Sequence, residues 1–160
     1  MATAGDIHEL PALLRPGERL LGLDLGEKTI GLALSDSGLK VASPLATLRR
    51  GKLKADAAAL ARICAERGVG ALVLGLPVNM DGSEGPRCQS VRQFAANLAG
   101  LAGFALPVAF WDERLSTAAV ERFLAGEADM SRRRRAQVVD KMAAAYILQG
   151  ALDALASGRR

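Results

Sequence analysis

The pattern of apolar residues changes along the chain, and this change constrains the fold more than any other feature of the sequence. Between residues 19 and 50, three apolar segments of strand length are separated by short polar turns. Strands joined by tight turns pair antiparallel, so this part predicts a β-meander. Beyond residue 52, helix-patterned and continuously apolar segments alternate, which is typical of helical crossovers between parallel strands. The order β-β-β-α-β-α-β-α-α therefore predicts an α/β fold with a mixed five-stranded sheet and helices on both faces.

The domain organisation follows from the length of 160 residues, which suits one domain. We expect residues 1–18 to form an N-terminal leader segment, with one helical turn near residues 10–14. Residues 19–157 are expected to form the folded domain. Its last helix is predicted over 136–156, after a polar and basic loop at 126–135.

Composition excludes several classes of protein. No apolar run reaches the roughly 18 residues of a membrane span, and the N-terminus lacks the pattern of a signal peptide. We therefore expect a soluble, cytoplasmic protein without a membrane partner. Cys64 and Cys88 have no Cys or His at ligand spacing, so free thiols are expected. His8 is the only histidine, which argues against a Ser-His-Asp triad and leaves carboxylates as the main catalytic resource.

Asp24 is the first candidate site residue, because it interrupts an apolar strand that should be central. Strand alternation places Gly22, Asp24 and Gly26 on one face and leucines on the other. A buried carboxylate needs compensation, which a metal ion, another cation or a salt bridge would provide. The flanking glycines favour a ligand that approaches closely. Hydrogen bonds from turn amides are the alternative.

Asp112 and Glu113 follow a second strand-like segment at 107–111. Ligands of open α/β sheets gather beside the carboxyl ends of strands, which makes this position a candidate site. Adjacent residues of an extended backbone point in opposite directions, so only one of the two faces a given site. The other is expected to form a turn contact or a salt bridge with Arg114.

Asp140 lies in the predicted last helix and shares its face with small and apolar side chains at i+3, i+4 and i+7. Packing of this face on the sheet would carry Asp140 inward; an acid favoured by the helix dipole is the alternative. Three acids from three separate elements would make a coherent site for Mg²⁺ or Mn²⁺, which prefer oxygen ligands. Two such ions can activate water for an in-line displacement at phosphorus.

Four segments of the sequence resemble the YqgF/RuvX family. They are residues 21–31 (LGLDLGEKTIG), 73–82 (VLGLPVNMDG), 112–117 (DERLST) and 139–144 (VDKMAA), in the family's order. Members are described as Holliday junction resolvases, or as nucleases that mature the 5′ end of pre-16S ribosomal RNA. The resemblance implies a ribonuclease H-like fold, a metal-dependent nuclease, and a nucleic-acid partner in ribosome biogenesis, with an RNA precursor favoured over a DNA junction. The ribosome or its small-subunit precursor is a further implied partner.

The resemblance also implies roles for single residues. Asp24, Glu113 and Asp140 would be the catalytic and metal-binding acids, with Asp112 as the fallback for Glu113. The residues expected to contact nucleic acid are Lys28, Thr29, Asn79, Arg114, Arg132, Arg133, Arg134 and Arg135. For Lys28 and Asn79, an ordinary role in a turn is an equal alternative. For the arginine run, the alternative is a solvated charge cluster.

One departure from the resolvases bears on the substrate. RuvC-type resolvases carry a second Asp three residues after the last-helix Asp, and this sequence has Ala143 there. The departure weakens a Holliday-junction function without excluding it. A second departure is Lys141, where the family commonly has a small hydroxyl residue. Three hypotheses follow: a nuclease for ribosomal RNA precursors, a DNA junction resolvase, and a non-catalytic RNA-binding assembly factor. The sequence argues against an ATPase of the actin and sugar-kinase type, because such a protein would need a second domain of comparable size.

Overall fold

A mixed five-stranded sheet forms the centre of the computed structural model, which describes residues 6–101, 104–113 and 132–157, with the side chains of 132–140 outside the description. The strands are β1 (Arg19–Leu25), β2 (Thr29–Ser35), β3 (Ala42–Arg49), β4 (Val69–Leu76) and β5 (Val108–Asp112). Their order across the sheet is β3-β2-β1-β4-β5. The first three strands pair antiparallel, and β4 pairs parallel with both β1 and β5. The predicted meander followed by crossovers is confirmed.

The helices are α1 (Leu10–Leu13), which follows a 3-10 turn at Ile7–Glu9, and then α2 (Leu53–Arg67), α3 (Pro86–Ala99) and α4 (Arg132–Ser157). The helix α2 ends at Gly68, which adopts a left-handed φ of 68° that favours glycine. The start of α4 was predicted four residues too late, because the arginine run 132–135 belongs to the helix. Arginine is a good helix former, and no glycine or proline lies between residues 127 and 149 to end the helix. The helix expected over 117–125 lies outside the described residues.

Helices cover both faces of the sheet. On one face, Leu23, Leu72 and Leu74 are fully buried in a core that also contains residues of α2 and α3. On the other face, Ala71 and Val73 pack in a second core with residues of α4. Strand alternation separates these two sets, since successive side chains of β4 point to opposite faces. The predicted helices on both faces are confirmed.

Glycine lets α4 approach the sheet closely. A Cβ atom added to Gly22 in β1 would lie 2.8 Å from Leu148 Cβ and 3.2 Å from the carbonyl oxygen of Ala144. These distances are shorter than normal carbon contacts. The backbone of α4 therefore lies directly against the face of β1 that also carries Asp24.

The N-terminal segment packs against the same core as α4. Ile7 is 2% exposed and Leu10 is fully buried, and both belong to the core cluster on the α4 face. Asp6 forms an isolated parallel bridge with Phe110 in β5. A helical turn near Leu10 was predicted and is present, while the division into a leader (1–18) and a domain (19–157) stays a prediction.

Two further expectations concern the described part of the chain. Cys64 and Cys88 are both buried free thiols, as predicted. Within residues 6–101, 104–113 and 132–157, no helix combines the length and the apolarity needed to cross a membrane.

We predict that Gly22→Ala destabilises the protein by about 1–3 kcal/mol, because the new methyl group must displace Leu148 or the backbone of α4. The free energy of unfolding from urea titrations measures the change. Gly100→Ala is the matched control, since its added Cβ would lie 3.6 Å from the Asn97 carbonyl oxygen, an ordinary contact, and its φ of −81° suits alanine. Equal stability of Gly22→Ala and wild type would contradict the close packing of α4 on β1.

Candidate functional site

Asp24 lies near the carboxyl end of β1 in a gap between residues without side chains. It is half-buried and pairs with Gly31 of β2. On the other side, Leu23 pairs with Leu74 of β4, so the next residue of β4, Gly75, lies beside Asp24. The glycines on both neighbouring strands therefore place no side chain of their own beside the carboxylate on the α4 face.

Glu113 reaches the same space from β5. Its backbone N–H donates to the carbonyl of Leu76 at 3.1 Å, which extends the pairing of β4 and β5 by one residue. Its carboxylate lies over Gly75, because a Cβ atom added there would overlap Glu113 Oε2. Alternation along β5 places Asp112 on the opposite face. Of the two adjacent acids, Glu113 is therefore the one that faces Asp24.

The two carboxylates affect each other electrostatically. Burial raises the pKa of Glu113 to about 7, and the nearby charge of Asp24 contributes to the same increase. Arg87 acts in the opposite direction and lowers this pKa. Glu113 Oε2 is a buried atom without a hydrogen-bond partner in the described part of the chain. A cation bound at this position would further stabilise the ionised form of Glu113.

This donor set fits a hard divalent cation. Asp24 and Glu113 supply carboxylate oxygens, one oxygen of Glu113 has no hydrogen-bond partner among the described residues, and the absence of a side chain at Gly75 leaves room for that oxygen. Mg²⁺ and Mn²⁺ prefer such oxygen ligands. Among the side chains that the structure describes, no group of three or more His, Cys, Asp or Glu residues could hold a metal ion.

Asp140, the predicted third ligand, belongs to α4, but its side chain lies outside the described part of the structure. It precedes Ala144 by four residues, which places both on one helical face by spacing. Ala144 is fully buried, and its backbone lies next to Gly22 on the strand that carries Asp24. The role of Asp140 stays a prediction.

The turn between β1 and β2 carries Lys28 and Thr29 at the side of Asp24. Lys28 is exposed and Thr29 is half-buried, and the Thr29 carbonyl accepts a hydrogen bond from the N–H of Gly26 at 2.9 Å. Arg50 holds this turn. Its Nη1 donates to the Gly26 carbonyl at 2.6 Å, its backbone N–H donates to the Lys28 carbonyl at 2.8 Å, and its guanidinium lies 5.5 Å from the Phe94 ring centre.

The loop between β4 and α3 contains Asn79, which is braced within the loop. Its Nδ2 donates to Ser83 Oγ at 3.1 Å, and its backbone N–H donates to the Ser83 carbonyl at 2.9 Å. Asn79 therefore acts in the turn, and it also lines a groove of about 370 Å³ that Glu113 and Arg87 share. A contact of Asn79 with nucleic acid stays a prediction.

Some predicted site residues lie outside the described part of the chain, and two residues near the site were not predicted. Arg114 lies outside the described residues, as do the side chains of the arginine run 132–135. Arg87 and Arg50 have roles beside the carboxylates that the sequence did not reveal. The signal for Arg87 was its position at the start of the helix after β4, since helix starts and strand ends meet at one edge of an α/β sheet.

Comparison with known proteins identifies close relatives of the chain. The sequence model of the RuvX family, described as Holliday junction resolvase, matches residues 18–154. A protein of Rhodospirillum centenum is 64% identical over 156 residues, covering 96% of this chain and 82% of its own length. One of Paramagnetospirillum magneticum is 66% identical over 145 residues, covering 91% of this chain and 92% of its own. Both carry the name "Putative pre-16S rRNA nuclease".

Solved structures show the same fold at low sequence identity. Thermus thermophilus RuvC in complex with a Holliday junction has a TM-score of 0.53 and 16% identity, over 89% of this chain and 98% of that one. The yeast mitochondrial Holliday junction resolvase has a TM-score of 0.51 and 10% identity, over 94% of this chain and 84% of that one. These similarities confirm the ribonuclease H-like fold.

We predict that Glu113→Gln stabilises the metal-free protein at pH 8 by up to about 2 kcal/mol, because it removes a half-buried charge that still meets some solvent. A carboxyl group whose pKa rises from 4.5 to about 7 on folding contributes stability at low pH that is lost as the pH rises through 7. At pH 5 most of the gain should disappear. Urea unfolding in EDTA at both pH values measures it.

Glu66→Gln, on the exposed surface of α2, is the control and should change stability by less than about 0.5 kcal/mol. An equal gain for Glu113→Gln at pH 5 and pH 8 would show that charge is not its cause.

Proposed function

This chain belongs to the RuvX family, and we propose that it is a metal-dependent nuclease that hydrolyses phosphodiester bonds, with the precursor of 16S ribosomal RNA as its substrate. The observation that carries this proposal is the meeting of Asp24 and Glu113 on one face of the sheet, with an unpartnered carboxylate oxygen over Gly75. A buried carboxyl group whose pKa is raised by burial and by a neighbouring carboxylate, as in Glu113, is typical of functional sites.

An RNA substrate is favoured over a DNA junction by the relatives. Proteins 56–66% identical to this chain carry the ribosomal RNA name, whereas the solved junction-resolving enzymes are 10–16% identical and share only the fold. Ala143, which stands where RuvC-type resolvases have a further aspartate, is fully buried. The four-carboxylate arrangement of those resolvases is therefore absent. A DNA junction resolvase is the second candidate.

Asp24, Glu113 and Asp140 would hold Mg²⁺ or Mn²⁺. These residues would give a bound divalent ion the position from which it could supply an activated water and offset the charge on the phosphate oxygens. The carboxylate oxygens of Asp24 and Glu113 would be its ligands at the edge of the sheet, where Gly75 leaves room for Glu113 Oε2. The Arg50 contacts to the Gly26 and Lys28 carbonyls keep the neighbouring turn in one conformation.

Phosphate contacts by basic residues would supply affinity that does not depend on sequence. Lys28 and Thr29 contact the substrate from the turn beside Asp24, and Asn79 from the opposite loop. Arg114 and the arginine run 132–135 complete the proposed set. A cytoplasmic location and binding to the small-subunit precursor follow from the proposed substrate.

We predict that Asp24→Asn lowers the cleavage rate of an RNA that copies the precursor 5′ leader by at least about 100-fold, because a carboxylate ligand is lost. Asp112→Asn is the matched control. It removes the same charge from the opposite face of the sheet and should retain most of the activity. Both rates are measured by gel analysis of end-labelled RNA in Mn²⁺ or Mg²⁺.

Three outcomes would overturn parts of this proposal. Equal cleavage by wild type and Asp24→Asn would assign the activity to a contaminant. Loss of activity in Asp112→Asn but not in Glu113→Gln would move the ligand to Asp112. Faster cleavage of a four-way DNA junction than of the RNA would favour the resolvase, and saturable RNA binding without cleavage in either metal would favour an assembly factor.

A further inference from the structure

A groove of about 370 Å³ extends the candidate site toward α3. It is lined by the loop after β4, by the first residues of α3 and by Glu113. Because Glu113 belongs both to this groove and to the carboxylate site, the groove and the site are continuous. Among the described residues that line the groove, Arg87 is basic and Glu113 is acidic.

The positive charge of Arg87 is available for an anion. Arg87 is exposed and forms no salt bridge with any described residue. Arg92, one turn later in α3, differs in this respect: its Nε and Nη2 each donate to Glu84 at 2.8 Å. An arginine in such a two-bond ion pair has its charge compensated, whereas Arg87 has no such pair among the described residues and is offset only by a longer-range attraction to Glu113.

The start of α3 adds to the positive potential of the groove. Its N-cap residue is Gly85, and no side chain caps the first turn of this 14-residue helix. The N–H groups of an uncapped first turn carry a partial positive charge that favours anions. Arg87 lies in this turn, so its guanidinium and the helix dipole act on the same region.

The remaining lining of the groove is mostly apolar. Pro77, Val78 and Pro86 form its wall, and the side chain of Met80 at its rim is 70% exposed. A thioether on a loop adapts to flat apolar surfaces. One cation beside an apolar wall matches a nucleotide, which has an anionic phosphate and an apolar base face, better than it matches inorganic phosphate.

We propose that this groove is a nucleotide subsite in which Arg87 neutralises the phosphate next to the one at the carboxylates and Met80 packs against the adjoining base or sugar. The inference rests on the proposed nuclease function and names a part of its substrate site. A volume of about 370 Å³ is at the lower end of ligand pockets. It accommodates one nucleotide of a single strand.

The test is a binding experiment in the Asp24→Asn background, so that no cleavage is needed. Fluorescence anisotropy with labelled single-stranded RNA is measured across a series of salt concentrations. Arg87→Ala should weaken binding by roughly 5- to 10-fold, the effect of losing one charge-assisted contact. It should also reduce the slope of log K against log salt by about 0.7, the value for one phosphate of a single strand.

Two variants serve as controls. Arg87→Lys keeps the charge and should preserve the salt slope. Arg62→Ala removes an equally exposed arginine from α2, away from the groove, and should leave affinity and slope unchanged. Circular dichroism confirms that each variant is folded. A single-stranded DNA and a duplex RNA of the same sequence show which strand the groove accepts.

Unchanged affinity and salt slope in Arg87→Ala, or an equal loss in Arg62→Ala, would overturn the subsite, as would binding of the duplex in preference to the single strand. These results are independent of catalysis. If Asp24-dependent cleavage is present but Arg87 has no effect on binding, the subsite fails and the nuclease stands. If binding depends on Arg87 but no metal supports cleavage, the subsite stands and the nuclease fails.

Discussion

The close packing of α4 on the sheet is the contact on which the candidate site depends. Glycines make it possible on both sides: Gly22 in β1 lies against Leu148, Gly75 in β4 lies against Ile147, and Gly150 in α4 lies against the indole of Trp111. Each of these positions would bring an added Cβ atom within 3 Å of a neighbour. The absence of a side chain at Gly75 also leaves room for Glu113 Oε2 on the face of the sheet that carries Asp24. The close packing of α4 and the arrangement of the candidate site therefore both depend on glycine positions.

The candidate site has an energetic cost in the absence of a ligand. Two carboxylates share a half-buried recess, and the pKa of Glu113 rises to about 7 because of burial and the charge of Asp24. Such an arrangement opposes folding at neutral pH unless a cation compensates it. The two cores above and below the sheet, with their fully buried leucines, supply the stability against which this cost is set.

The fold and the position of Asp24 were predictable, because both depend on local periodicity. Alternation in β1 determines which face carries Asp24, and tight turns determine the meander. The choice between Asp112 and Glu113 depends instead on where β5 stops pairing, which the hydrogen bond from Glu113 to Leu76 fixes. Arg87 could not be recognised for a similar reason, since its neighbour Glu113 is 26 positions away in the sequence and only tertiary structure joins them. The start of α4 was not predicted correctly, because the polarity of the arginine run indicated a loop. The helix propensity of arginine instead extends α4 across this run.

The bridge between Asp6 and Phe110 has a consequence for the sheet as a whole. Strand β5 is at one end of the strand order and β3 at the other, and unpaired ends of sheets recruit foreign strands into aggregates. The segment before β1 covers part of the β5 end, anchored by the buried Ile7 and Leu10. At the other end, β3 contains Pro44 beside a shift in register, and a proline removes one backbone donor from that edge. The N-terminal segment and Pro44 thus reduce the number of backbone groups that the two edge strands offer to another chain.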